Sequence, residues 1–290
     1  MAKENAKKVR GRRRSLWRRF RRSRAAVVGL GIILALVLGA VFAGAIAPYQ
    51  PDQPNLKARL VHPSPQHLFG TDQLGRDVFS RVLYAGRVSL SVATVAVLIV
   101  ISLGVFVGAV AGYAGGLVDT ILMRLTDVIL AFPTFFLMLG IVALFGRSIP
   151  VLILVIGLTS WPTTARIVRS EYLSWKEREF VLAARATGTS RTRILFRHIL
   201  PNVMGSVLVI ATLQVAWAIL AEAGLSFIGL GVQPPTASLG NMVADGRSYL
   251  REAPWVTLMP GLVVFLCVMS FNLIGDALRD AFDPKMDIRG

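Results

Sequence analysis

Between Gly70 and Arg87 the chain sets Asp72 and Asp77 among Arg76, Arg81 and Arg87, with Gly70, Thr71 and Gly75 around them. That density of opposite charge suits ion pairing that pins a loop, or a surface shown to a partner. Glu222 and Asp127 stand in or beside long uncharged runs, where an acid must face a partner, water or a path through the molecule. A third set lies at residues 175–201: Glu179, Phe180, Ala183, Ala184, Thr187, Gly188 and Pro201. Phe180, Ala183, Ala184 and Thr187 recur at three- and four-residue spacing, so a helix lines them up in one stripe that another protein could approach closely. None of these sets is catalytic. No nucleophile has a base at a telling spacing, and His62, His67 and His198 are scattered without metal-ligand spacing. No Gly is followed by Lys, so the G-x-x-x-x-G-K-[ST] phosphate loop is absent. Cys267 is alone and makes no intrachain disulfide.

The elements that must hold these residues are apolar. Of 290 residues 54% are hydrophobic, and the mean hydropathy is +0.61. The runs 25–48, 88–118, 128–146, 148–165, 202–221, 223–244 and 253–275 carry no charge. A bilayer core of about 30 Å takes about 20 helical residues, and backbone in lipid must satisfy its own hydrogen bonds. The expected fold is therefore an all-α integral membrane protein of six transmembrane helices, at 27–47, 89–111, 121–145, 149–168, 206–229 and 257–276. A large soluble helical bundle does not account for so many uncharged runs.

The net charge of +16 is concentrated at the start, where the Lys and Arg residues of 1–26 face only Glu4. Next to a spanning helix this is the positive-inside pattern and places both termini in the cytoplasm. Leu16, Trp17 and Phe20 among the arginines suit a short interfacial helix on membrane lipid, which is preferred to nucleic-acid binding. Ala43-Gly44-Ala45 imitates a signal-peptide cleavage site, but the apolar run before it is too long, and the segment is read as a retained span. The organisation expected is a basic tail (1–26), the first span (27–47), an extracytoplasmic loop (48–87), a five-span core (88–280) with a cytoplasmic island (169–204), and a tail (281–290). In the island, Gly188 should end a first short helix and Ser190 open a second, Arg191 to Leu200, that Pro201 terminates. Pro133 should bend or break the third span. Asp127 can pair with Arg124 at i,i+3. Glu222 is placed on a translocation path or a subunit interface. Gly104, Gly108 and Gly112 form a close-packing face on the second span.

The island resembles the cytoplasmic coupling loop of ABC-importer permeases. Their signature is E-A-A, three residues, G, nine residues, I-x-L-P; here Ala183, Ala184, Gly188, Leu200 and Pro201 match. Leu182 stands in place of the Glu and His198 in place of the Ile, with Glu179 one turn earlier as the nearest acid. Three further segments are similar to the C-type permease subunit of dipeptide, oligopeptide and nickel importers. One is Gly70-Thr71-Asp72 with Gly75-Arg76-Asp77. Another is Leu225-Ser226-Phe227-Ile228-Gly229-Leu230-Gly231 with Pro234-Pro235. The last is Gly275-Asp276-Ala277-Leu278-Arg279-Asp280 with Asp283-Pro284. The resemblance implies a permease subunit in the bacterial inner membrane, with no cofactor of its own. Its implied partners are a second homologous permease, two ATPase subunits that bind ATP and Mg, and an extracytoplasmic solute-binding protein. Peptides are the implied cargo, with nickel or another small solute as the alternative. An ion-coupled carrier is a separate possibility, but such carriers carry internal repeats and paired intramembrane charges that this chain lacks.

Overall fold

The computed structural model describes residues 23–282, so the interfacial helix expected within 1–26 and the tail beyond 282 lie outside the described residues. The regular elements of the described chain are all helical, apart from one isolated bridge between Thr71 and Asp77. Helix α1 (Arg24–Val41) starts where Ser23 Oγ accepts from the Ala26 N–H at 3.3 Å, and a single turn, α2 (Ala43–Ile46), continues it. Helix α3 (Val78–Ala114) is capped by Asp77 and stops at Gly115. Then come α4 (Gly116–Leu130), α5 (Thr134–Phe145) and α6 (Ile149–Lys176). The short α7 (Glu179–Ala186) and the long α8 (Arg191–Phe227) follow. Helix α9 (Leu239–Gly246), held by a reciprocal Ser238–Asn241 capping box, precedes α10 (Trp255–Phe282).

Five of these helices, α1, α3, α6, α8 and α10, are long and apolar enough to cross a membrane. The expected third span is not one straight helix: α4 and α5 meet at 81°. Pro133 has no N–H to give and disfavours helical backbone at Phe132, so the ladder stops there and restarts at Thr134. At 37 residues and about 1.5 Å each, α3 and α8 reach roughly 55 Å, well beyond the bilayer core. Two expected boundaries therefore move. Residues 78–87, assigned to the loop because of Arg81 and Arg87, are the first turns of α3. Residues 169–176, assigned to the island, are the last turns of α6.

Helices α3 and α6 make the main seam of the bundle. It runs through Gly104, Gly108 and Gly112, all buried. A Cβ at Gly104 would sit 2.6 Å from Thr164 Cβ, and one at Gly112 would sit 2.7 Å from Tyr172 Cβ. Between membrane helices there is little hydrophobic drive, so such close backbone contact supplies the packing energy. Helix α8 packs on α10 and α3, and α10 on α1. The apolar centre gathers Val92, Ala96, Met138, Leu152, Ile156, Ile219 and Leu225.

Candidate functional site

The island is built on one buried cluster. Tyr172 from α6, Val181 from α7, and Ile194, Ile199 and Val203 from α8 are each 1% exposed or less and pack together. Val181 is the single residue of α7 that is buried, so it holds the short helix on the ends of its two long neighbours. Glu171 ties those neighbours directly, accepting from Trp175 Nε1 at 3.1 Å and from Ser206 Oγ at 2.9 Å. Lys176 Nζ adds a bond to the Gly112 carbonyl at 3.4 Å. The sequence marks Glu171 only as one more charge, because its partner Ser206 lies far along the chain.

The opposite face of α7 is bare. Phe180 is 43% exposed and Leu182 49%; Glu179, Ala183, Thr187 and Gly188 are exposed too, while Ala184 turns partly inward. Phe180 meets Trp175 edge-on at 6.1 Å between ring centres. Glu179 forms no ion pair among the described residues. After α7 the chain turns through a paired closure: the Thr189 N–H donates to the Ala184 carbonyl and the Gly188 N–H to that of Arg185, both at 3.1 Å. Gly188 sits at φ +76°, where a side chain is strained, although a Cβ there would meet no atom within 4 Å.

Two expectations for the island change. Ser190 makes no side-chain cap. Pro201 does not end a helix, because α8 runs through it without a break. Residues Ile194–Ile199 form a π turn immediately ahead of it. The wider turn gives the pyrrolidine ring room that a regular turn denies, and Pro201 then sits in the first turn of the α-helical part, where its missing N–H costs little.

At the far end of the bundle, residues 70–77 are a closed structure. Asp72 accepts from the Leu74 and Arg76 N–H groups at 2.8 and 3.0 Å, pairs with Arg76 Nε at 2.6 Å and faces Arg81 Nε at 3.5 Å. Thr71 Oγ1 donates to the Ala58 carbonyl and accepts from the Val61 N–H, and Trp255 Nε1 of α10 donates to the Thr71 carbonyl at 3.1 Å. Gly70 and Gly75 take φ of +71° and +72°. The expected Arg partners of Asp77 are replaced. Asp77 caps α3 through the Ser80 N–H at 2.8 Å and pairs with His67 Nδ1 at 2.9 Å. Arg87 does not pair with an acid of the loop at all. Its guanidinium donates to the carbonyls of Ala40 and Val41, both at 2.9 Å, at the end of α1 where helix carbonyls lack partners.

Glu222 does not lie on an open path or an outer face of this chain. It is fully buried and accepts from Ser89 Oγ of α3 at 2.8 Å and Ser226 Oγ at 2.7 Å. Ser89 Oγ in turn accepts from the Leu239 N–H at 3.1 Å, which joins α3, α8 and α9 through one carboxylate. Asp127 is half exposed; Arg124 is 3.7 Å away, as its i,i+3 spacing allows, and the closer partner is Arg166 of α6. Asp119 is doubly bonded to Arg169, a second α4–α6 bridge that no local spacing announces. Pro133 is exposed at the α4–α5 break.

Comparison with known proteins agrees with this geometry. Residues 104–288 match the sequence model of the binding-protein-dependent transport system inner membrane component. The chain belongs to this family. Residues 12–63 also match the N-terminal transmembrane domain of oligopeptide transport permease C. Among curated permeases, the dipeptide transport system permease protein DppC of Alkalihalophilus pseudofirmus is 42% identical over 273 residues, which is 94% of this chain and 90% of that protein. The oligopeptide transport system permease protein OppC of Bacillus subtilis is 39% identical over 286 residues, 97% of this chain and 94% of the relative. The permease family is a multi-pass membrane component of transport systems, not a catalytic one.

Proposed function

We propose that this chain is one half of the translocation pathway of an ATP-driven importer of di- or oligopeptides in a bacterial inner membrane. It crosses the membrane six times, the bent α4–α5 pair serving as the third crossing, with both termini in the cytoplasm. A second homologous permease completes the pathway. Two ATPase subunits bind ATP and Mg and grip the island, and an extracytoplasmic binding protein delivers cargo to the end that carries residues 48–77.

The observation that carries this reading is the form of the island. A short helix with an exposed apolar face is fastened, through Val181, to the ends of two membrane-crossing helices. A force applied to Phe180 or Leu182 is thus applied to α6 and α8 together. In the ATPase cycle α7 is the handle and the two long helices are the load; the switch is between two arrangements of the bundle, biased by the partner. The peptide cargo rests on what the dipeptide and oligopeptide permeases are named for, at about 40% identity along nearly the whole chain.

The test is reconstitution of the whole system in liposomes, with ATP hydrolysis measured against di-, tri- and longer peptides and Ni²⁺. Peptide-stimulated hydrolysis with uptake is expected; stimulation by Ni²⁺ alone would reassign the cargo. Gly188→Val, which strains the turn at φ +76°, should leave insertion intact and uncouple hydrolysis from uptake. Normal uptake by that variant would refute the handle.

A further inference from the structure

Between the 72–77 turn and the start of α9 lies a cavity of about 220 Å³, walled by Gln73, Arg76, Arg81, Asp245 and the ring pair Pro234 and Pro235. Arg76 and Arg81 are only 7% and 3% exposed. Asp72 pairs with the Nε of both, and Arg81 Nη1 is taken by the Pro51 carbonyl at 3.0 Å and by Asp52 at 3.5 Å. The Nη groups of Arg76 have no acceptor within bonding distance among the described residues, and the Asp245 carboxylate has no donor. Gln73 Oε1 is buried and likewise without a partner. A cationic donor, an anionic acceptor and an amide therefore border one space, each with bonding capacity unused. Gln73 Oε1, buried and unpaired, is the costly one of the three, and a ligand that brings both a donor and an acceptor engages all of them together.

We propose that this cavity binds a small zwitterion, the free amino acid or dipeptide backbone, with its carboxylate on the Arg76 guanidinium and its ammonium on Asp245. Geometry decides between ligand classes. The unused donors of Arg76 and the unused carboxylate of Asp245 border one space, so a simple anion or cation would engage one of them, whereas a zwitterion engages both. Size points the same way, because the cavity falls below the roughly 300 Å³ at which sites for drug-sized ligands begin. Leu74 and the two prolines offer an apolar wall for a side chain. The choice of a dipeptide rests on the peptide-import reading above, under which this is the end where cargo arrives.

The experiment uses the membrane complex of both permeases and both ATPases, freed of the soluble binding protein, in nanodiscs. Saturation-transfer NMR follows alanyl-alanine, its N-acetyl derivative and its C-terminal amide. Binding of the free dipeptide is expected, with at least a tenfold loss on blocking either end. Asp245→Asn should remove the preference for the free amine over the acetylated one. This variant keeps the fold: burial already holds the Asp245 carboxyl above the usual carboxylate range, against the pull of Arg81 and Arg76. Gln73→Leu should weaken binding several-fold with both preferences retained. Equal binding of free and blocked dipeptides overturns the proposal. So does wild-type binding in both variants, or a cavity that answers only to acidic segments of the binding protein. Peptide uptake by the full system is measured in parallel. Uptake without dipeptide binding here sinks this inference alone, whereas absence of peptide uptake sinks the function on which it rests.

Discussion

The two ends of the bundle treat polar residues in opposite ways. At residues 70–81, Asp72, Arg76, Asp77 and Arg81 are each 7% exposed or less, and every one has a partner in the same chain. At residues 177–201 the charges stand in solvent, and Phe180, Leu182 and Phe196 stand out with them at 43–60% exposure. Glycine marks the contrast. Gly75 and Gly188 have nearly the same positive φ, but a Cβ at Gly75 would run into the Asn55 carbonyl, while at Gly188 it would meet nothing. At the first end the 70–77 turn itself is closed by partners within the chain. The second has its inner face packed and its outer face exposed. Side chains buried in mutual contact belong to folding, and apolar side chains left bare on a firmly seated helix belong to assembly.

That contrast can be broken by substitution. The largest effect is expected from Asp72→Ala, which leaves the buried Arg76 guanidinium without its carboxylate and takes one of two from Arg81; a loss of about 3–5 kcal/mol follows, read as a fall in membrane yield and in thermal unfolding temperature in detergent. Gly75→Ala should cost on the order of 3 kcal/mol, since the steric collision adds to about 1–2 kcal/mol of left-handed strain. Gly188→Ala should cost only the strain, and equal losses for the two would erase the distinction. Leu182→Glu should leave stability within about 0.5 kcal/mol and supply the acid that the coupling signature carries; a change in ATPase affinity without a change in melting is the expected pair of readings. The smallest effect is expected at Asp245. Its carboxyl is raised by burial, so the native protein loses stability as pH rises through that raised value. Asp245→Asn should match or slightly exceed the parent at neutral pH, by under about 0.5 kcal/mol given its partial exposure, and the difference should vanish in acid.

The helices were legible because uncharged length is enough to specify them, as in α1 and α10. Their ends were not, wherever a charge is neutralised by a distant partner. Arg81 and Arg87 read as loop residues, yet both belong to α3, one held by Asp72 and the Pro51 carbonyl and the other by the end of α1. The break at Pro133 follows from local chemistry, but its 81° does not, since the angle is set by what α4 and α5 pack against. In the island, the expected stripe divides, with Ala184 turned partly inward, whereas the turn at Gly188 could be read directly. The two residues that seat it, Val181 and Glu171, could not, because their importance lies in Tyr172, Ile199 and Ser206 across the fold. Glu222 was conspicuous as an acid among apolar residues, and its serine partners on α3 and α8 were hidden by sequence separation.

The π turn at Ile194–Ile199 holds one residue more than an α-helix of the same rise. Rotational phase along α8 is fixed elsewhere at about 100° per residue, so deleting a residue between Leu200 and Glu222 would swing the carboxylate away from Ser89. Deleting one within the π turn would let the helix close to ordinary pitch with its two ends in their present bearings. The segment is slack in the chain's length, and insertions or deletions in α8 during its history have one place where they could be absorbed without turning the island relative to the membrane.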